Sequence, residues 1–508
     1  MMSVAAPVFW ALWLSGVTIQ GIESDVGMTG SGAPILCEFD AAWLDWMGDR
    51  KRLLVLGGMD GSTESAYAVR RMQEWFVESR EALPFRRQFS LATVPLANPD
   101  GVRLQFPPSG EAYRQMTESH YLWRWIQLQA PDYLLIVGPD SGSLAAALDS
   151  DAAQITGRIP SERIGESEEA LRQFLERRAG SIEFSPARRE VRQRLARTPQ
   201  QVAEQLAQVY GRQLPEVVYI PAVALMARLR LGAVEDVERI VEPFVSGGKD
   251  SLHQPTGSHL SGHLIFAWLY ERTKRPEYLD LVKKAASLGF TETGEMRECM
   301  PFHNEMSDAV FMGCPILAAA GRHSGEQKYF EMAMRHFAFI QKLNQRSDGL
   351  YRHSPLDETA WGRGNGFPAL GLALTLSDMP PSYPGRSKLL QEFRKHMVAL
   401  AKYQTGGMWR QVVDQHGAWR ELSATCMIAF AMQRGIRRGW LPRRSFQPLV
   451  DQAWEAVKIR TSADGKLVDV CASTGKQRSL RDYLDRPAVF GEDPRGGAMV
   501  MLLATELK

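Results

Sequence analysis

Two short strings bring together a carboxyl, an aromatic face, a guanidinium and an amide. The first is HNEMSDAVFMGCP, from His303 to Pro315, in which Asp308 stands at the head of an apolar helical stripe of Val310, Met312, Ile316 and Leu317. A carboxyl there reads either as a helix N-cap or as a general acid beside apolar Phe311 and Met312. The second is WGRGNGF, from Trp361 to Phe367, ahead of an apolar helix expected over 369–376. Its tryptophan offers a stacking face, Arg363 a fork for a carboxylate, and Asn365 an amide for a hydroxyl, while three glycines let backbone approach a ligand closely. A glycine turn with Asn365 as helix cap and Trp361 in the core is the plainer reading of the same string.

These strings sit inside a repeat. Tyr278, Tyr329, Leu389 and Leu449 anchor amphipathic helices and lie 51, 60 and 60 residues apart. Glycine turns at Gly294, Gly349, Gly407 and Gly465 follow them at spacings of 55, 58 and 58. One helical hairpin cannot bury its apolar face alone, so a repeat of hairpins predicts a solenoid or a closed ring. Over 195–508 the period yields about five or six units, which predicts an all-α (α/α)6 toroid. Its turns gather at one end, where a site belongs.

Ahead of the toroid the texture is α/β. The run RLLVLGG from Arg52 predicts a strand and turn, and Thr63 onward a helix with Ala66, Val69, Met72 and Phe76 inward. Further strands are expected over 89–96 and 133–137, each leading to a turn, NPDG at Asn98 and GPDSGS at Gly138. The Arg-, Glu-, Ser- and Pro-rich segment from Ser181 to Pro199 marks a boundary. Residues 1–24 read as a signal peptide or an N-terminal extension, because Val4–Val17 is apolar but no Lys or Arg precedes it. Location is periplasmic or secreted in the first case and cytoplasmic in the second. The α/β domain is expected over 35–185.

The whole chain has 508 residues, 60 basic and 58 acidic, so no field that would gather nucleic acid or anionic lipid follows from its charge. No membrane span is expected. Five cysteines without CxxC spacing suggest neither a zinc knuckle nor a disulfide framework.

The pairing of GGMDG with VPLANPDG resembles the zinc carboxypeptidases over about residues 50–180. The resemblance implies a degenerate domain, since Asp60 stands where that family has its first zinc-binding histidine and the second position falls near Thr63 and Glu64. No metal or cofactor is therefore expected, although Asp60, Glu64 and Asp140 are turn carboxylates of the kind that hold a hard cation.

The succession SDAVFMGCPILAAAGR, DGLYRHSPLDETAWGRGNGF, GMWRQVVDQHGAWRELSATC and DPRGGAMVMLLATEL resembles glycoside hydrolase family 105, the unsaturated rhamnogalacturonyl hydrolases, and the related glucuronyl hydrolases of family 88. The resemblance implies Asp308 as the catalytic acid and an acidic oligosaccharide with a 4,5-unsaturated uronic acid at its non-reducing end. It also implies that Trp361 and Arg363 hold the sugar and its carboxylate, with Asn365, His353, Ser423 and Thr425 nearby. Where the family has an aspartate before the helix near Gly262, this chain has GSHLSGH, which brings His259 or His263 to that neighbourhood, and His303 stands upstream of the acid. That departure leaves two alternatives: a hydrolase of saturated glucuronides with His259 or Glu305 as a second acid/base, and a non-catalytic carbohydrate-binding protein. Glycan, linkage and oligomeric state are open.

Overall fold

The structure, a computed structural model, describes residues 22–151 and 155–508; the apolar stretch Val4–Val17 lies outside them. Two layers of different construction pack together.

The N-terminal layer is a six-stranded sheet with strands β1 (Ile22–Met28), β2 (Pro34–Phe39), β3 (Lys51–Leu56), β4 (Phe89–Val94), β5 (Tyr133–Val137) and β6 (Ser161–Ile164). Their order is β1-β2-β4-β3-β5-β6. β3 pairs in parallel with β4 and β5, and β5 with β6, whereas β1 and β2 are antiparallel additions. Central β3 is covered on both faces, which is why it reads as an unbroken apolar run. The sheet starts at Ile22, ahead of residue 35, and its outermost strands β1 and β6 carry no such run. Asp140, one of the candidate cation carboxylates, accepts from Leu144 N and Ala145 N at the start of the helix Leu144–Asp149. The helix Pro186–Ala196 leads out of this layer.

The C-terminal layer is a ring of helices. Its inner members are Tyr219–Arg230, the broken pair Gly257–Gly262 and Leu264–Thr273, then Ala309–Ser324, Gly362–Asp378, Leu422–Arg437 and Pro494–Leu507. Each packs on the next, and Pro494–Leu507 returns to Tyr219–Arg230, so the ring closes. Outer helices such as Pro276–Ala286, Lys328–Asn344, Arg386–Ala401 and Arg443–Ile459 pack behind it. An inner helix is enclosed by neighbours on every side, and all of Ala309–Gly321 is buried accordingly.

The repeated glycines mark the repeated turn. Gly294, Gly349, Gly407 and Gly465 have φ of 83°, 90°, 78° and 90°, the left-handed region that an L side chain resists. Short bridges, Phe290 to Met296, Gln345 to Tyr351, Thr405 to Met408 and Thr461 to Leu467, span these turns. Between the last outer helix and the last inner one lie the antiparallel strands β7 (Leu467–Cys471) and β8 (Ala488–Gly491). Among the described residues no helix is long and apolar enough to cross a membrane.

The WGRGNG string differs from its sequence reading. The helix begins at Gly362, not near 369, so the three glycines lie inside its first turns. A Cβ on Gly362 would sit 2.5 Å from the Arg410 carbonyl oxygen, and one on Gly366 2.9 Å from Met427 Sδ. They admit neighbouring chain segments, not a ligand.

Candidate functional site

Asp308 takes the N-cap position of the helix Ala309–Ser324, yet its side chain makes no capping hydrogen bond. The residue is 8% exposed. Oδ1 is sealed from solvent with no hydrogen-bond partner, while 12% of the side chain remains accessible. The N–H groups of the helix start are already satisfied, Ala309 N by the Met306 carbonyl, Val310 N by that of Ser307 and Phe311 N by that of Asp308 itself, so the carboxyl is not needed as a cap.

What faces it is His353. Nε2 lies 3.5 Å from Asp308 Oδ1, and Nε2 too lacks a hydrogen-bond partner. Ser307 N donates to the His353 carbonyl at 2.9 Å, and Ser307 Oγ donates to the Gly364 carbonyl at 2.7 Å, which ties the acid's strand of chain to the WGRGNG helix. Trp361 packs against the imidazole, ring centroids 4.4 Å apart. His303, with φ of 50°, completes the group, its Nδ1 buried and unpartnered. Burial lowers the His303 pKa; the negative charge of Asp308 works against that shift and His353 works with it. Phe302 beside it is also left-handed, φ 66°, and is among the exposed large apolar side chains.

Trp361 and Arg363 do not offer the open faces expected of them. Trp361 is 1% exposed and Arg363 3%. Arg363 Nη1 donates to the Cys471 carbonyl at 2.8 Å and Nη2 to the Ala472 carbonyl at 3.1 Å, with its guanidinium carbon 4.9 Å from the Trp361 ring centre. Burial opposes its charge, but Cys471, Tyr219, Glu421 and Asp308 together raise its pKa. Both residues form the wall behind His353.

The other expected residues are engaged within the protein. Asn365 is fully buried; its Nδ2 donates to the Tyr351 and Trp361 carbonyls at 2.9 Å each, and its Oδ1 accepts from Tyr351 N at 2.8 Å, so no amide atom is left for a sugar. Ser423 Oγ donates to the Glu421 carboxylate at 2.8 Å, and Thr425 Oγ1 donates to the Glu421 carbonyl at 2.7 Å and accepts from Trp409 N. Both are buried supports of the helix Leu422–Arg437. His259 Nδ1 accepts from Thr256 N at 3.2 Å in a capping box, and burial lowers its pKa. His263 is held between the His259 carbonyl and Ser251 Oγ. Glu305 pairs with Lys476.

Sequence reasoning missed Tyr483 and Glu421. Glu421 caps the helix Leu422–Arg437 and also accepts from Cys471 N at 2.9 Å. An acidic residue directly before an apolar helical run was the available signal. For Tyr483, outside the repeat, there was none.

The closed ring of paired helices, with Asp308 at the start of an inner helix, defines a helical toroid. The profile of Glycosyl Hydrolase Family 88 matches residues 233–508, and the chain belongs to that family. It is similar to an unsaturated 3S-rhamnoglycuronyl hydrolase of Formosa agariphila, 29% identical over 182 residues, 32% of this chain and 48% of that protein. It is also similar to the unsaturated rhamnogalacturonyl hydrolase YesR of Bacillus subtilis, 24% identical over 211 residues, 40% of this chain and 59% of that one. The chain thus spans about half the length of the curated relatives it matches. Among solved structures, a possible member of the GH105 family from Salmonella enterica superposes with a TM-score of 0.51 at 21% identity, covering 62% of this chain and 93% of that one. The shared fold is therefore that of the toroid.

Proposed function

We propose that this protein removes a 4,5-unsaturated uronic acid from the non-reducing end of an acidic oligosaccharide, with Asp308 as the acid. The carrying observation is that Asp308 sits at a helix start without capping it, one oxygen sealed opposite His353 and a small part of the side chain open to solvent. The relatives' activities on unsaturated substrates support the same reading.

In this scheme the protonated Asp308 delivers its proton to C4 of the vinyl ether. Water adds at C5 and returns a proton to the carboxylate; the hemiketal collapses, opening the ring and releasing the next sugar. One carboxyl cycles, unlike the pair that an ordinary glycosidase needs. Exposed Phe302 supplies apolar surface for a sugar face beside the acid. We read the sheet layer, with its Gly57–Gly58 and Asn98–Gly101 turns after adjacent parallel strands, as carboxypeptidase-like and as a buttress of the site.

Lyase-generated unsaturated disaccharides test the proposal through loss of their enol-ether absorbance. The protein should consume that signal and Asp308→Asn should not. Turnover persisting in Asp308→Asn, or turnover of a saturated nitrophenyl glucuronide in its place, overturns it.

A further inference from the structure

The 16 residues between β7 and β8, Ala472 to Pro487, form a strap across the wall just described. Most of its side chains are partly or fully exposed, but Tyr483 is buried. Its ring lies edge-on to His353 at 5.7 Å and roughly parallel to Trp361 at 6.4 Å. The strap is held at Tyr483 by Gln411 Nε2 on the Tyr483 carbonyl, and elsewhere by Lys476 on Glu305.

The hydroxyl has two polar neighbours, and pairing both its hydrogen and its oxygen favours one direction for each proton. Gln477 N lies 3.2 Å away and can only donate, so the phenol oxygen accepts there. The phenol's own hydrogen finds an acceptor only if His353 Nδ1, at 2.9 Å, is bare. Burial pushes the Tyr483 pKa up to about 12, which keeps that hydrogen in place at neutral pH. An imidazole whose Nδ1 accepts carries its proton on Nε2 when neutral. Nε2 is the nitrogen that faces Asp308 Oδ1.

We propose that Tyr483 is a positioning residue that holds His353 as the Nε2–H tautomer, so that His353 donates toward Oδ1 of Asp308 and the transferable proton sits on the other oxygen. That oxygen is the one not sealed from solvent, since Oδ1 alone of the pair is buried and unpartnered. The proposal rests on Asp308 being the acid. It makes the strap part of the acid's proton arrangement: when the strap lifts, Nδ1 loses its donor and the tautomer is no longer set.

The test pairs a spectroscopic and a kinetic readout on the full chain. In 15N-labelled protein at neutral pH, long-range proton–nitrogen correlations should show His353, assigned by its loss in His353→Gln, with Nδ1 bare and Nε2 protonated. Tyr483→Phe should shift it toward Nδ1–H or a mixture. On unsaturated disaccharide the same variant should lower kcat by about tenfold or more while KM stays within about twofold, as expected when a group orienting a catalytic imidazole is lost. Exposed Arg478→Ala, on the same strap, should change neither readout. An Nδ1-protonated His353 in the unaltered protein overturns the proposal whether or not the variant folds, and so does an unchanged tautomer in a folded Tyr483→Phe. If the unaltered protein consumes no unsaturated substrate while the tautomer still answers to Tyr483, it is the assignment of activity that fails and the positioning role that stands.

Discussion

Tyr113 of the sheet layer lies flat against Trp419 of the helical ring, centroids 5.3 Å apart and planes 11° from parallel. Around this stack the two layers share one apolar cluster that also contains Trp361 and Tyr483. The Tyr113 hydroxyl donates to Asp469 at 3.0 Å, Arg124 pairs with the same carboxylate, and Asp25 holds Arg410 at 3.0 Å and Arg420 at 3.1 Å. The wall behind the acid is therefore built from both halves of the chain.

Asp469→Asn tests that union. Asp469 has φ of 66°, a conformation asparagine tolerates, so the substitution removes charge with little change of backbone. It leaves buried Arg124 and Arg460 without their carboxylate. Loss of one partner of a buried pair costs about 3–5 kcal/mol. Denaturant unfolding should show that loss, with fluorescence and circular dichroism still coinciding; a change below about 1 kcal/mol would mean that the pair does not secure the interface.

Asp308→Ala and Glu421→Ala should behave oppositely. Asp308 makes no cap bond, so its removal should shift unfolding free energy by no more than about 0.5 kcal/mol while activity falls at least about a hundredfold. Glu421 accepts from Ser423 N and Cys471 N, at 3.1 and 2.9 Å, inside the protein. Removing it orphans these donors and should cost about 3 kcal/mol. Thermal melts of the two variants, run beside the disaccharide assay, check both halves of the contrast.

The ring was legible because its information is local and periodic. Each turn needs a residue with positive φ, so glycine recurs at Gly294, Gly349, Gly407 and Gly465 and announces the unit before any contact is known. Asp308 was legible as a residue but not as a free one: an aspartate before a helix looks the same whether or not it caps. The WGRGNG string misled because glycines that admit Arg410 and Met427 from neighbouring chain resemble glycines that admit a ligand. Tyr483 and the Asp469 interface were invisible, since Tyr483 and His353 stand 130 residues apart and obey no period.

Acid should weaken the fold in two separable windows. His336 supports the Asp308 helix through the Ala309 carbonyl, 2.8 Å away, and accepts from Met300 N; burial pushes its pKa down to about 4. An unfolded histidine protonates near about 6.5. Below that pH the unfolded chain binds a proton the native one refuses, so stability falls as pH drops from 6.5 to about 4 and this loss then levels off. Asp25 acts lower. Burial would raise its pKa, but Arg420 and Arg410 bring it below the ordinary 3.8, so its contribution is full above that value and disappears as pH falls through the depressed one. Urea midpoints between pH 7 and 4 should fall less steeply in His336→Gln, by up to about 1.4 kcal/mol per pH unit for the proton removed. Parallel slopes would mean that His336 is not held neutral.

Arg363→Lys separates a wall from a sugar clamp. The guanidinium reaches the carbonyls of Cys471 and Ala472 through two nitrogens, and a single ammonium cannot match that fork. The substitution should destabilise by about 1–3 kcal/mol, because a buried acceptor is left unpaired. Amide exchange should rise over 472–487, and kcat should fall with the loosening of Tyr483. A residue that only gripped a substrate carboxylate would behave differently: KM would rise, while exchange in the strap and the melting temperature stayed where they were. Hydrogen exchange without substrate, read beside the KM and kcat of the same variant, decides between the two.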